Sequence, residues 1–118
     1  MTIEEKQLLL TDLCARLPYR PKGVKLYELF DPKDITIIGY TGRFIETYND
    51  EIPVEKVRLY LRPFSSMTEE EKETLRTLKW TKLEHYTVDW LNAHYLDYRG
   101  LINKGLALEA PEGMYKMS

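Results

Sequence analysis

The chain opens with apolar residues at helical spacing. Ile3, Leu10, Leu13, Cys14 and Leu17 fall on one stripe, and Leu9 widens it, so a helix is predicted over residues 2–17. Thr2 and Glu5 stand three apart, the spacing at which a hydroxyl and a carboxylate satisfy each other's orphan amides in a capping box. Pro18 ends the helix, because proline disfavours the helical conformation in the residue before it.

The pattern then changes to runs rich in β-branched and aromatic residues. Three strands are predicted, over residues 24–30, 34–40 and 43–48, separated by Asp31-Pro32 and Thr41-Gly42, with Asn49-Asp50 as the turn after the third. The connections are too short for crossovers, so the strands form an antiparallel meander. Residues 53–63 fit either one helical turn over 54–57, with Pro53 at its start, or a short edge strand over 59–61. A helical turn followed by an extended segment is the preferred reading.

Thr68 and Glu71 repeat the capping-box spacing. Glu69, Glu70 and Glu71 put negative charge where a helix N-terminus favours it, so a helix is predicted to about Lys79. Residues 80–86 read as a connector or short strand. A helix over 88–96, with Thr87 as cap, and another over 98–104, with Asp97 as cap and Gly105 as left-handed terminator, complete the pattern. Residues 111–118 have little apolar pattern and are expected to fray, Tyr115 apart. Strands grouped together and helices grouped elsewhere give an α+β fold: an N-terminal helix, a three-stranded antiparallel meander, then several short helices, in one small domain over 1–118.

Composition narrows the class without choosing a function. With 118 residues there is room for one ordinary domain. Hydrophobic residues make up 43% and charged residues 31%, which excludes disordered and low-complexity classes. The net charge of −2 removes any global field that would demand nucleic acid or membrane. Cys14 is the single cysteine, so no intramolecular disulfide and no cysteine-based zinc site can form. The N-terminus lacks the basic flank and apolar run of a signal peptide, so a cytoplasmic location is expected, with no membrane partner. Nine tyrosines are many for this length. They are expected chiefly in strands around a small core, with interfaces as the second use.

Three stretches, LCARLPY at 13–19, YLRPFSSMTEEE at 60–71 and DWLNAHYLDYRGLINKGLALEAPEGMYK at 89–116, resemble a group of short hypothetical proteins of gut-anaerobe genomes and their phages or mobile elements. The resemblance covers about half the chain and is weakest between Lys22 and Glu51. It implies a bacterial or phage origin and an intracellular setting. It carries over no activity and no catalytic or binding residue.

Candidate chemistry is sparse. Cys14 lies on the apolar stripe near a helix C-terminus, where the dipole disfavours a thiolate, so it reads as a small buried hydrophobe. His85 and His94 are each followed by an aspartate, Asp89 and Asp97, at spacings that pair them on a continuous helix. Together they could hold a metal or run acid–base chemistry. Against this, Thr87 and Val88 are expected to break the helix between the pairs, and both aspartates serve as caps. No phosphate-binding glycine loop and no nucleophile elbow occurs. No catalytic residue, cofactor site or metal site is therefore assigned.

Two basic–aromatic segments remain. Arg16, Arg20, Lys22 and Lys25 interleave with Tyr19 and Tyr27. Arg58, Tyr60 and Arg62 alternate, so an extended segment would put them on one face, and these three are the candidate partner-binding residues. The first expectation is a non-enzymatic interaction or accessory domain that contacts another protein or a second copy. Nucleic acid is the second, since cations beside rings suit single strands. A small metal-binding protein or enzyme is the third.

Overall fold

The computed structural model describes residues 1–26 and 34–115. Helix α1 (Ile3–Arg16) carries the predicted capping box: Thr2 Oγ1 accepts from the Glu5 amide and Glu5 Oε1 from the Thr2 amide. A short 3₁₀ turn over Leu17–Tyr19 ends it at Arg20, which is left-handed. The inward face differs from the predicted stripe. Leu9, Asp12, Leu13 and Arg16 are buried, Ile3 is 77% exposed, and Cys14 is exposed rather than packed inside. The stripe is rotated because Asp12 and Arg16 neutralise each other and can therefore enter the core.

The sheet has six strands: β1 (Lys22–Lys25), β2 (Asp34–Tyr40), β3 (Phe44–Thr47), β4 (Glu51–Pro53), β5 (Val57–Leu61) and β6 (Ala107–Glu109). Their order is β4-β3-β2-β1-β5-β6. The antiparallel meander is present and longer than expected, since β4 adds a fourth strand to it. The part of the first predicted strand over 27–30 lies outside the described residues, as does Asp31-Pro32. One extra residue on β2 between Ile37 and Gly39 shifts the register, so Tyr40 turns toward Ile45 and Ile52 in the core.

Residues 53–63 form the predicted helical turn, Val54–Lys56, and then β5. This strand is interior rather than an edge: it pairs antiparallel with β1 and parallel with β6. Gly23 makes that packing possible, since a Cβ there would come within 2.7 Å of the Arg58 carbonyl oxygen and 3.3 Å of Ile37 Cδ1.

A parallel neighbour needs a long return path, and the helices supply it. Helix α2 (Glu69–Trp80) starts from the predicted Thr68–Glu71 capping box. Helix α3 (Glu84–Ala93) starts earlier than expected and runs without a break through Thr87 and Val88. The Thr87 hydroxyl donates to the Leu83 carbonyl and caps nothing. The predicted helix over 98–104 is instead a string of turns, held by Asp97, whose carboxylate accepts from the Leu101 and Ile102 amides at 2.8 and 3.0 Å. Gly105 is left-handed as expected and leads directly into β6, a strand with too few residues to leave a pattern.

Two apolar clusters result. The larger joins Leu9 and Leu13 of α1 to Ile37, Ile45, Ile52, Val57, Leu59 and Leu61 of the sheet, with Leu101, Leu106 and Ala107. The smaller contains Met67, Leu75, Leu91 and Leu96, with Trp90 and Tyr98 packed on it. Among the described residues no helix is long and apolar enough to cross a membrane.

Candidate functional site

Alternation along β5 buries Val57, Leu59 and Leu61 completely and turns Arg58 and Tyr60 to the opposite face, where both are half-buried. Arg62 continues that alternation just past the strand, bridged to Leu96. The three candidate residues thus share a face, but each has partners within the chain. Arg58 Nη1 donates to the carbonyls of Glu55 and Val57. The Tyr60 hydroxyl donates to Asp34 Oδ1 at 3.1 Å, and burial, followed by this carboxylate, holds the phenol above its ordinary pKa.

Arg62 reaches a different neighbourhood. Its guanidinium forks onto Glu71 with Nη1–Oε2 and Nη2–Oε1 distances of 2.8 and 2.7 Å, and it also donates to Ser66 and to the His94 carbonyl. Parallel N–H···O bonds of this kind are the stronger form of ion pair. Glu71 serves twice, because Oε1 also accepts the Thr68 amide of the capping box. The Arg62 fork above all, helped by that amide and against the effect of burial, lowers the carboxyl to about 2.

This pair forms one wall of a cleft of about 530 Å³ between α2, the end of α3 and the segment over 110–115. Glu70 and Thr74 of α2, Trp90 and His94, and Glu112 line the rest. The indole of Trp90 and the imidazole of His94 stack with centroids 4.1 Å apart and planes 24° apart. His94 Nδ1 lies 2.9 Å from the Trp90 carbonyl. A carbonyl only accepts, so Nδ1 carries hydrogen, and in the neutral ring Nε2 keeps its lone pair. The hydroxyls are already committed: Ser66 donates to the Pro63 carbonyl and Thr74 to that of Glu70. Glu70 and Glu112 form no ion pair among the described residues.

The two His–Asp pairs do not converge. Asp97 is occupied by backbone amides, Asp89 accepts from the Tyr19 hydroxyl, and His85 stacks on Tyr86. Among the described residues no three His, Cys, Asp or Glu side chains gather as metal ligands. Cys14, although exposed, is partly desolvated, which pushes its thiol up and away from thiolate.

The basic run of the first segment is divided by the fold. Arg16 is fully buried against Asp12, with Nε–Oδ2 at 2.9 Å and Nη2–Oδ1 at 3.0 Å, and it donates to the Leu96 carbonyl at 2.7 Å. Arg99 adds a 2.7 Å bond to Asp12, and both guanidiniums lie over the Tyr98 ring. Lys25 pairs with Asp50, so Arg20 and Lys22 are the exposed cations of the run. The tyrosines also depart from expectation. Among the described residues only Tyr40 and Tyr60 lie in strands, and several others fasten the chain after α3 to the body. Tyr95 stacks on Tyr115 at 3.8 Å and donates to the Tyr19 carbonyl. The Tyr115 hydroxyl accepts from the Lys22 amide and faces the carbonyls of Lys22 and Tyr60, at the end of the β1–β5 ladder.

Of the residues singled out in the sequence, Arg62, Glu71 and His94 meet at the cleft, while Arg58 and Tyr60 lie outside it. Trp90 and Glu112 carried no sequence signal, and Glu70 read as a helix-dipole residue. Compared with known proteins, the chain matches no family model, no curated protein and no solved structure.

Proposed function

We propose that this protein is a non-catalytic binding domain that holds a segment of a partner polypeptide in the cleft over α2 and α3. The observation that carries the reading is how the polar groups of the cleft are used. Arg62 and Glu71, the ion pair in its wall, are spent on each other, and two hydroxyls are spent on carbonyls. A general acid–base pair needs groups free to exchange protons near neutral pH, and Glu71 at about 2 is fixed as a carboxylate. The volume falls within the range of small-ligand sites, and its walls mix an aromatic surface with a few oriented polar groups. The nucleic-acid reading loses support from the division of the basic run by the Asp12–Arg16 and Lys25–Asp50 pairs.

Selection from a random peptide display library tests this. Peptides should be enriched on the intact protein and lost on Thr74→Trp, which fills the cleft from an exposed helix position. Equal enrichment on both proteins, or none on either, removes the reading.

A further inference from the structure

Resting on that binding reading, we infer that the cleft is built for a cationic side chain, so its occupant is a lysine- or arginine-bearing peptide segment. The argument is one of complementarity. The Arg62–Glu71 pair cancels, which leaves Glu70 and Glu112 as the uncompensated charges lining the cleft among the described residues. They come from separate elements, the first turn of α2 and the segment after β6, so a ligand between them meets negative charge from two directions. In its neutral form His94 contributes a third acceptor, the Nε2 lone pair, since Nδ1 donates to the Trp90 carbonyl. Lysine and arginine side chains are donors only, so acceptors in this number match them and not a carboxylate or phosphate. Their long apolar stems also need a surface to lie against, and the half-buried Trp90 in the cleft wall supplies one.

Glu70 costs helix α2 little if neutralised, since Glu69 and Glu71 also serve its N-terminus. Glu112 lies in a turn and takes part in no hydrogen bond or ion pair among the described residues. Both carboxylates can therefore be removed without disturbing the fold. Among the described residues neither carboxylate has a structural partner, as a ligand-facing role requires.

The test uses fluorescence anisotropy on the full chain, with three labelled nine-residue peptides of equal length: one rich in lysine and arginine, one rich in glutamate, one neutral. A single-stranded oligonucleotide is a fourth probe. The basic peptide is expected to bind at least tenfold more tightly than the other three. The double variant Glu70→Gln/Glu112→Gln, checked for an unchanged circular dichroism spectrum and melting temperature, should lose that preference by tenfold or more. Trp90→Phe should weaken it severalfold. The inference is overturned if the acidic or neutral peptide binds equally well, if the oligonucleotide binds best, or if the double variant keeps the preference. Failure here is distinct from failure of the binding reading. Display-selected peptides that Thr74→Trp excludes, but that carry no basic residue and ignore Glu70→Gln/Glu112→Gln, would leave a binding cleft without cation selectivity.

Discussion

The sheet with α1 and the α2–α3 pair are held by different means. The first shares an apolar cluster that includes nine fully buried aliphatic side chains, from Leu9 to Leu61. The second shares four, of which Met67, Leu75 and Leu91 keep a little exposure, and relies in addition on the Arg62–Glu71 fork. Each region contains one bidentate arginine–carboxylate pair, and the two pairs differ in setting. Asp12–Arg16 is fully buried, whereas Arg62–Glu71 retains 12% exposure at each side chain. The first pair fixes how α1 sits on the core. The second anchors the start of α2 to the end of β5 and shapes the cleft. Local opening is cheapest where few apolar contacts are lost, so the cleft lies on the less firmly held of the two regions.

Removing one partner of the buried pair should have the largest effect. Asp12→Ala leaves the Arg16 guanidinium uncompensated in the core, and a loss of about 3 to 5 kcal/mol is expected by urea denaturation. A loss no larger than that of breaking the Arg62–Glu71 fork, about 2 kcal/mol, would show that full burial does not set the two pairs apart. Leu91→Ala addresses the small cluster, with an expected cost of about 2 to 3 kcal/mol. Its sharper readout is hydrogen exchange: amides of α2 and α3 should lose protection while those of β2 and β5 keep theirs. Uniform loss across the molecule would mean that the regions unfold as one.

Glu71→Gln is expected to cost about 2 kcal/mol at neutral pH, discounted for partial exposure. The sign of its pH dependence follows from the lowered carboxyl. The stabilisation is fully present above the ordinary value of 4.5 and is lost as the pH falls toward 2. The gap between wild type and variant should therefore narrow on acidification, and a constant gap would rule out the ionised fork as its source. Tyr115→Phe should be the mildest, at about 1 kcal/mol, since the ring still stacks on Tyr95 but its hydroxyl no longer serves Lys22 and Tyr60. Burial holds this phenol well above 10, so its contribution is present below that value and is lost as the pH rises through the alkaline range.

What could be read in the sequence divides along similar lines. Both capping boxes, β2, β3, the helical turn before β5 and the shared face of Arg58, Tyr60 and Arg62 follow from local rules, and local rules sufficed. The orientation of α1 did not, because Asp12 and Arg16 at i, i+4 look the same in sequence whether solvated or buried, and only the Leu96 carbonyl and Arg99, distant in the chain, make burial tolerable. The three-residue β6 has no periodicity to find, and its place is set by pairing with β5. The start of α3 was missed because Leu83 caps it without a side-chain bond. At the cleft, Glu71 announced its helix but not its partner, and Glu112 sits where no pattern marks a wall.

The rims of the sheet bear on behaviour at high concentration. Both outermost strands, β4 and β6, have three residues; one ends in Pro53, and the other is followed within two residues by Pro111. Each also presents a glutamate, Glu51 or Glu109. Short margins that carry charge and adjoin an imino acid make poor templates for another chain to add to. Concentrated solutions should accordingly resist fibril growth as long as the sheet stays folded.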